Sequence, residues 1–420
     1  MPPRKRKQPL EASPLEPASK RANTASAQSI FNNASRFVSL PDELHLEIAS
    51  HMPTVFICSE PEDLPLDRFG TDRYFTLNAL SQTCRALRPV YLPFLSEKIE
   101  VYEGFRLVGK GNRLPKIPIA KKKIKYASSM AQVPSVRASR QYAEELLRQL
   151  EIVTVRKPEL AQHVISLDVV LTPFSLPRVY NELMRCIALF PNLTTVRLSI
   201  INVEVDSEDF RWLYDKHNFP QIKSLFLSPE AVWFSRCCPN ASHVAIDTVS
   251  NLEGQRSFCQ WLTALEKNKK SIQRLGLFPL GGSLGFRYFG RGFFEYVPNL
   301  KDITLECNMM RTLLENEEKG ERNVIADFRN LQIIHIRADV ETFSTWLWRK
   351  DQPSIEEEHQ QWIQWAERTL HRVEESRGVE REMRIYFTGK DGHCEEHRVY
   401  SGLTKALSPL KDGPVEQTEK

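Results

Sequence analysis

Four short stretches of the chain carry side chains whose types and spacing could do chemistry. Gly281 to Gly285 reads GGSLG. This is the G-x-S-x-G spacing, in which a serine on a tight strand-to-helix turn attacks an ester when an acid and a histidine follow. His335 and His359 lie downstream of Ser283. Against a hydrolase, Pro279 interrupts the approach to the turn, and no HGGG-type oxyanion segment precedes it. The second stretch is HCEEH, His393 to His397. Alternation along a strand puts His393, Glu395 and His397 on one face, but a structural zinc site needs four ligands in two pairs, and the second pair is missing. The third is the vicinal pair Cys237-Cys238, just before Pro239. The eight cysteines have no framework spacing and read as reduced thiols, with this pair filling core. The fourth, GFRYFGRGF, mixes arginine with aromatics as RNA-stacking sheets do, but lacks their partner strand. No P-loop, HExxH or dinucleotide fingerprint occurs. No catalytic residue, metal or cofactor is assigned.

Positioning falls to the surrounding elements. At 420 residues and 41% apolar composition the chain can build two or three domains with a sizeable core. No run reaches the length of a membrane span, and MPPRKRKQPL lacks the apolar centre of a secretory signal. Net charge is +4, unevenly placed. Residues 1–25 carry +4 and residues 106–126 carry +8, which leaves −8 for the rest. An acidic body with two basic segments does not predict a nucleic-acid-binding face.

Residues 1–36 have too few large apolar groups to offset the entropy of ordering and read as a basic tail. Within it, Arg4, Lys5, Arg6 and Lys7, then Lys20 and Arg21, have the spacing of a two-part nuclear import signal. That places the protein in the nucleus, with the cytoplasm as the alternative. Helical order begins at RFVSLPDELHLEIASHM. Ser39 with Asp42 predicts a capping box, Pro41 suits a first turn, and Leu44, Ile48 and Met52 form an apolar stripe that Pro53 ends. A second helix carries Leu77, Leu80, Cys84 and Leu87 and stops at Pro89; a third runs near Tyr91 to Leu95. Residues 104–135, with AKKKIK at Ala120 to Lys125, read as a basic linker.

The stretch from Leu40 to Val101 resembles an F-box. That family opens with Leu-Pro-x-Glu on an apolar-periodic helix and carries a later Cys-containing helix. Leu40, Pro41, Glu43, Leu44 and Ile48 match the first part; Leu80, Cys84, Arg85 and Leu87 match the second. About twenty residues separate Pro53 from Leu77, long for a helix connection. Ser96 follows Leu95 where the family often has tryptophan. The resemblance implies docking on the Skp-type adaptor of an SCF ubiquitin ligase. Leu40, Pro41, Leu44, Ile48, Leu80, Cys84 and Leu87 would make the apolar contacts, and Glu43 one at the rim.

Beyond the linker one pattern recurs: an apolar anchor with apolar residues three and five places on. It fits Val164-Leu167-Val169, Leu193-Val196-Leu198, Ile222-Leu225-Leu227, Ala241-Val244-Ile246, Ile272-Leu275-Leu277, Leu300-Ile303-Leu305 and Leu331-Ile334-Ile336. The anchors are spaced by 29, 29, 19, 31, 28 and 31 residues. One such match arises by chance about 7% of the time at this composition; seven at a near-regular period do not. The template resembles a leucine-rich repeat without the asparagine of the stricter pattern, like the degenerate repeat domains that follow F-boxes in fungal proteins. The stripe Val179, Leu183, Cys186, Ile187 and Phe190, and aromatics such as Tyr214 and Trp261, read as helix faces packed on the strands. After Ile336 come a helix near Phe343 to Trp348, a long helix through Trp362, Ala366, Leu370 and Val373, and a hairpin around Asp391-Gly392.

The expected architecture is therefore α/β: an F-box bundle over 37–103, the linker 104–135, an irregular repeat solenoid of parallel strands backed by helices over 136–405, and a loose tail over 406–420. The expected role is the non-catalytic substrate receptor of a ubiquitin ligase. The repeat loops, including Gly281 to Gly292, would hold a target protein, with no membrane or nucleic-acid partner. A nuclear scaffold without ligase function and a hydrolase using Ser283 are the alternatives.

Overall fold

A computed structural model describes residues 37–52, 71–102, 114, 136–201, 214, 216–246, 261, 263–278, 297–306, 330–339, 355–377, 382–388 and 394–400. The fold is α/β, built on one ten-stranded sheet whose strand order follows the chain. The strands are β1 (Lys98–Val101), β2 (Ser166–Leu171), β3 (Thr195–Ile200), β4 (Ser224–Leu227), β5 (His243–Ile246), β6 (Arg274–Phe278), β7 (Asp302–Glu306), β8 (Ile333–Asp339), β9 (Glu382–Thr388) and β10 (Cys394–Tyr400). Neighbours from β1 to β9 are parallel, and only β10 runs antiparallel, against β9.

The central residues of the recurring triplets sit in register, while the pairing of β6 with β7 shifts beyond Leu275, so that Phe278 rather than Leu277 meets Leu305. Leu167, Val196, Leu225, Val244, Leu275, Ile303 and Ile334 pair in sequence across the sheet. All seven anchors and all seven central residues are essentially buried. Ile99 extends this row at one end and Met383 at the other. The apolar template misses both because the anchor positions there hold Ser96 and Glu380. Ser96 donates to the Leu92 carbonyl at 2.9 Å, so a helix end stands where an apolar anchor stands elsewhere.

Asparagine is present in a different place from the one the stricter pattern prescribes: one residue before the anchor. Asn192, Asn240, Asn299 and Asn330 donate to the carbonyls of Gln162, Pro220, Lys270 and Pro298, at 2.7, 3.0, 2.8 and 2.8 Å. Ser271 does the same to Pro239 at 2.8 Å, and Gln221 reaches Phe190 at 3.4 Å. Each turn into a strand is thereby tied to the turn before it. The four asparagine bonds lie at exposed positions, so their role is to fix the spacing of successive turns rather than to rescue buried carbonyls.

The connecting segments pack on the apolar face. Helix α5 (Leu176–Ile187) buries Val179, Tyr180, Leu183, Met184, Cys186 and Ile187. The unit of 19 residues is too short for an α-helical return, and its connection is the 3₁₀ helix Pro229–Cys237. Cys237 and Cys238 are fully buried, and the thiol of Cys237 lies 3.0 Å from the Tyr214 carbonyl. Helix α6 (Ile355–Arg377) buries Trp362, Trp365, Ala366 and Leu370. One apolar core runs continuously from Ile99 to Val399. It includes Leu114, from the stretch read as a linker.

Ahead of the sheet stand α1 (Asp42–Ser50), α2 (Thr71–Thr83) and α3 (Leu87–Ser96), around a small core of Ala49, Leu77, Leu87 and Tyr91. The N-cap of helix α1 is Pro41, two residues after the Ser39 predicted to open the capping box. Pro89 does not stop the second helix, which ends at Thr83. It lies in the first turn of α3, where a missing N–H costs nothing. Only Glu97 separates α3 from β1, and its carbonyl accepts the N–H groups of Ile165 and Ser166 at 2.8 and 3.0 Å. The boundary read at residue 103 thus falls after a strand already built into the sheet.

The first edge of the sheet is closed by a side chain. Gln149, on helix α4 (Val136–Glu151), accepts the Glu100 N–H at 3.2 Å and donates to the Glu100 carbonyl at 2.8 Å. One amide thus does for β1 what another strand would do.

Candidate protein-interaction surfaces

The first surface is the outer face of α1. The predicted stripe of Leu44, Ile48 and Met52 divides: Met52 packs on the core of the bundle, Ile48 is half-buried and Leu44 points out. The buried positions of the helix are His45 and Ala49, and Leu44 and Leu46 are each 48% exposed. The division has a physical cause. His45 Nδ1 lies 2.9 Å from the Tyr91 hydroxyl, and its ring meets Phe37 and Tyr91 edge-on at 5.1 and 5.6 Å. An imidazole paired through Nδ1 and set between two aromatic rings fits there better than a leucine facing a hydroxyl, although its Nε2 is buried without a partner.

The residues expected to contact an adaptor separate accordingly. Pro41, Glu43 and Leu44 are exposed, and Leu40 and Ile48 are half-buried. Leu80 and Cys84 are half-buried against the bundle core. Leu87 is 1% exposed inside that core, so it supports the surface from beneath rather than forming part of it. No local signal marks the His45–Tyr91 pair in the sequence, since its members lie 46 residues apart.

The second is the polar face of the sheet, whose side chains from Glu100 to His335 are largely buried against one another and leave little of themselves open to a partner. Its side chains come from the positions between the apolar ones, where alternation aims them away from the core. They touch in series. Lys98 Nζ lies 2.5 Å from Glu100 and 3.9 Å from Asp168, and Asp168 is 3.6 Å from Arg197. The Arg197 guanidinium stands 5.6 Å over the Phe226 ring, which meets His243 edge-on at 5.1 Å. Arg274 Nε is 2.8 Å from Asp302, and Asp302 is 3.3 Å from His335. The series continues with Arg384 beside Glu382 at 3.0 Å and Glu396 at 3.9 Å.

Burial tunes these groups. It pushes the Glu100 carboxyl up, against the pull of Lys98. It pushes His243 down to about 4, helped by Arg274 and opposed by Asp302. Asp302 is raised by burial, but His335 and Arg274 outweigh that and hold it below its usual value. The face alternates in sign, unlike the single-sign track that a phosphate backbone selects. The apolar template could not find it, because it scored only the inward positions.

Several expected features lie outside the described residues: the basic clusters at Arg4 to Lys7 and at Lys20 and Arg21, the GGSLG turn with Ser283, the loop to Gly292, and His393. Among the described residues, no group of three or more His, Cys, Asp or Glu side chains is placed to hold a metal ion. No described helix is long and apolar enough to cross a membrane. No known protein family, curated protein or solved structure matches this chain.

Proposed function

We propose that the chain is the substrate-receptor subunit of an SCF-type, cullin-RING ubiquitin ligase. Its three-helix bundle acts as an F-box on a Skp-type adaptor, and its repeat solenoid of leucine-rich type holds a target protein. The observation that carries this reading is the outward display of Pro41, Leu44 and Leu46 on a helix whose inward positions are His45 and Ala49. Large apolar groups on a short, well-packed helix suit a helix-in-groove partner. The receptor supplies no reacting group; it raises the concentration of target near the charged enzyme. The basic tail carries the complex to the nucleus.

The test is co-purification of the adaptor with the full chain. Pro41→Ala with Leu44→Asp should abolish capture without moving the thermal midpoint, whereas Leu87→Ala should lower the midpoint by opening the core. An intact chain that never retains adaptor sinks the ligase reading. Adaptor retained with no ubiquitination of captured protein leaves the nuclear scaffold.

A second reading has one observation in its favour. Asp302 and His335 pair at 3.3 Å on the strands that follow Ser283 in the chain, in the order of a hydrolase triad. Under it, Ser283→Ala abolishes ester hydrolysis; under the receptor reading, the chain hydrolyses nothing to lose.

A further inference from the structure

The two ends of the sheet are unlike. At β1 the outward N–H and C=O of Glu100 are engaged by Gln149. At the other end β10 pairs with β9 on one side, and among the described residues no strand lies on its other side. A seven-residue edge strand is a template for another strand.

The sequence of β10 says which strand fits. Val399 and His397 pair with Met383 and Ile385, whose side chains face the core. Glu396, Arg398 and Tyr400 therefore project from the polar face. Glu396 and Arg398 are 28% and 49% exposed and pair with one another at 2.7 Å. If a second β10 runs antiparallel beside the first, about a two-fold axis through His397, residue 396 of each copy falls opposite residue 398 of the other. The axis is perpendicular to the sheet, so both polar faces stay on the same side. Every Glu396 then meets an Arg398, and every Arg398 a Glu396. Opposed charges directly across an antiparallel pair are stabilising, and like charges are destabilising.

We propose that β10 is a homotypic interface: two copies of the chain join edge to edge into one continuous sheet, in the register set by Glu396 and Arg398. The interface is self-complementary, as a two-fold contact must be. It is also small, so association is concentration-dependent rather than obligate.

Sedimentation velocity on the full chain over a wide concentration range tests this. The expected result is a rise from the mass of one chain toward twice that mass. Glu396→Arg and Arg398→Glu each place like charges across the axis, and each should weaken association by about tenfold or more. Mixing the two single variants should restore it, because each copy then offers the other the opposite sign at both positions. The double exchange, Glu396→Arg with Arg398→Glu, should self-associate like the parent. Restoration on mixing also requires both single variants to be folded, so it needs no separate control. The proposal fails if the parent stays monomeric throughout, if either single variant associates like the parent, or if the mixture stays dissociated.

Discussion

Asp302 Oδ1 lies 3.3 Å from His335 Nε2, across the step from β7 to β8, while its other oxygen takes Arg274 at 2.8 Å. One carboxylate thus answers for two neighbours on a face that is largely closed to water. Asp302→Asn keeps the shape and removes the charge. It should cost about 1–3 kcal/mol in urea unfolding, less than for a fully enclosed pair because Arg274 remains partly solvated. An unchanged midpoint would show that the pair adds nothing.

His243 gives the sheet an acid-sensitive strand. Its folded-state value of about 4 lies below the ordinary 6.5, so between those limits the unfolded chain binds more protons. Stability contributed by the neutral ring is complete above about 6.5 and is lost as pH falls toward 4, by up to about 3 kcal/mol. His243→Gln should flatten the slope of stability against pH in that window. A slope identical to the parent's assigns the effect to other groups.

Gly276 faces Ala245 across β6 and β5. A Cβ on it would stand 2.8 Å from the Ala245 Cβ and 3.4 Å from His243 Nε2. Neither strand can yield without shifting its ladder, so Gly276→Ala should destabilise by about 1–3 kcal/mol. Adding Ala245→Gly removes the colliding atom, and the double variant should be more stable than Gly276→Ala alone. Thermal unfolding of the three variants decides it.

Gln149→Ala would leave the Glu100 N–H and C=O without their partner on a strand that is nearly buried. The expected loss is about 1–3 kcal/mol. Amide exchange at Glu100 should rise far more than at Ile99, whose row continues into β2. Equal acceleration at both would mean general loosening.

Much of the sheet was legible in the sequence because parallel stacking repeats one requirement at each step. At each of the seven places where the anchor and its followers recur at the near-regular period, a strand forms beside its predecessor. The pattern failed at β1 and β9, where Ser96 and Glu380 stand at the anchor positions. It failed on α1 for a different reason. Helical periodicity counts Leu44 as inward, but a tyrosine hydroxyl 46 residues away makes His45 the better buried side chain. The turn asparagines were visible as letters, yet their role depends on a carbonyl in the preceding unit, about thirty residues back, and local pattern has no access to that pairing.

The single residue joining α3 to β1 leaves no hinge between the helices and the sheet. Nine lateral steps of about 4.8 Å separate the first strand from the last, roughly 40 Å in all. Whatever grips the leading helix and whatever rests on the far strands are held apart by a ruler graduated in strand spacings. Inserting or deleting one unit would change that reach by a fixed increment of about 5 Å, without redesigning either end.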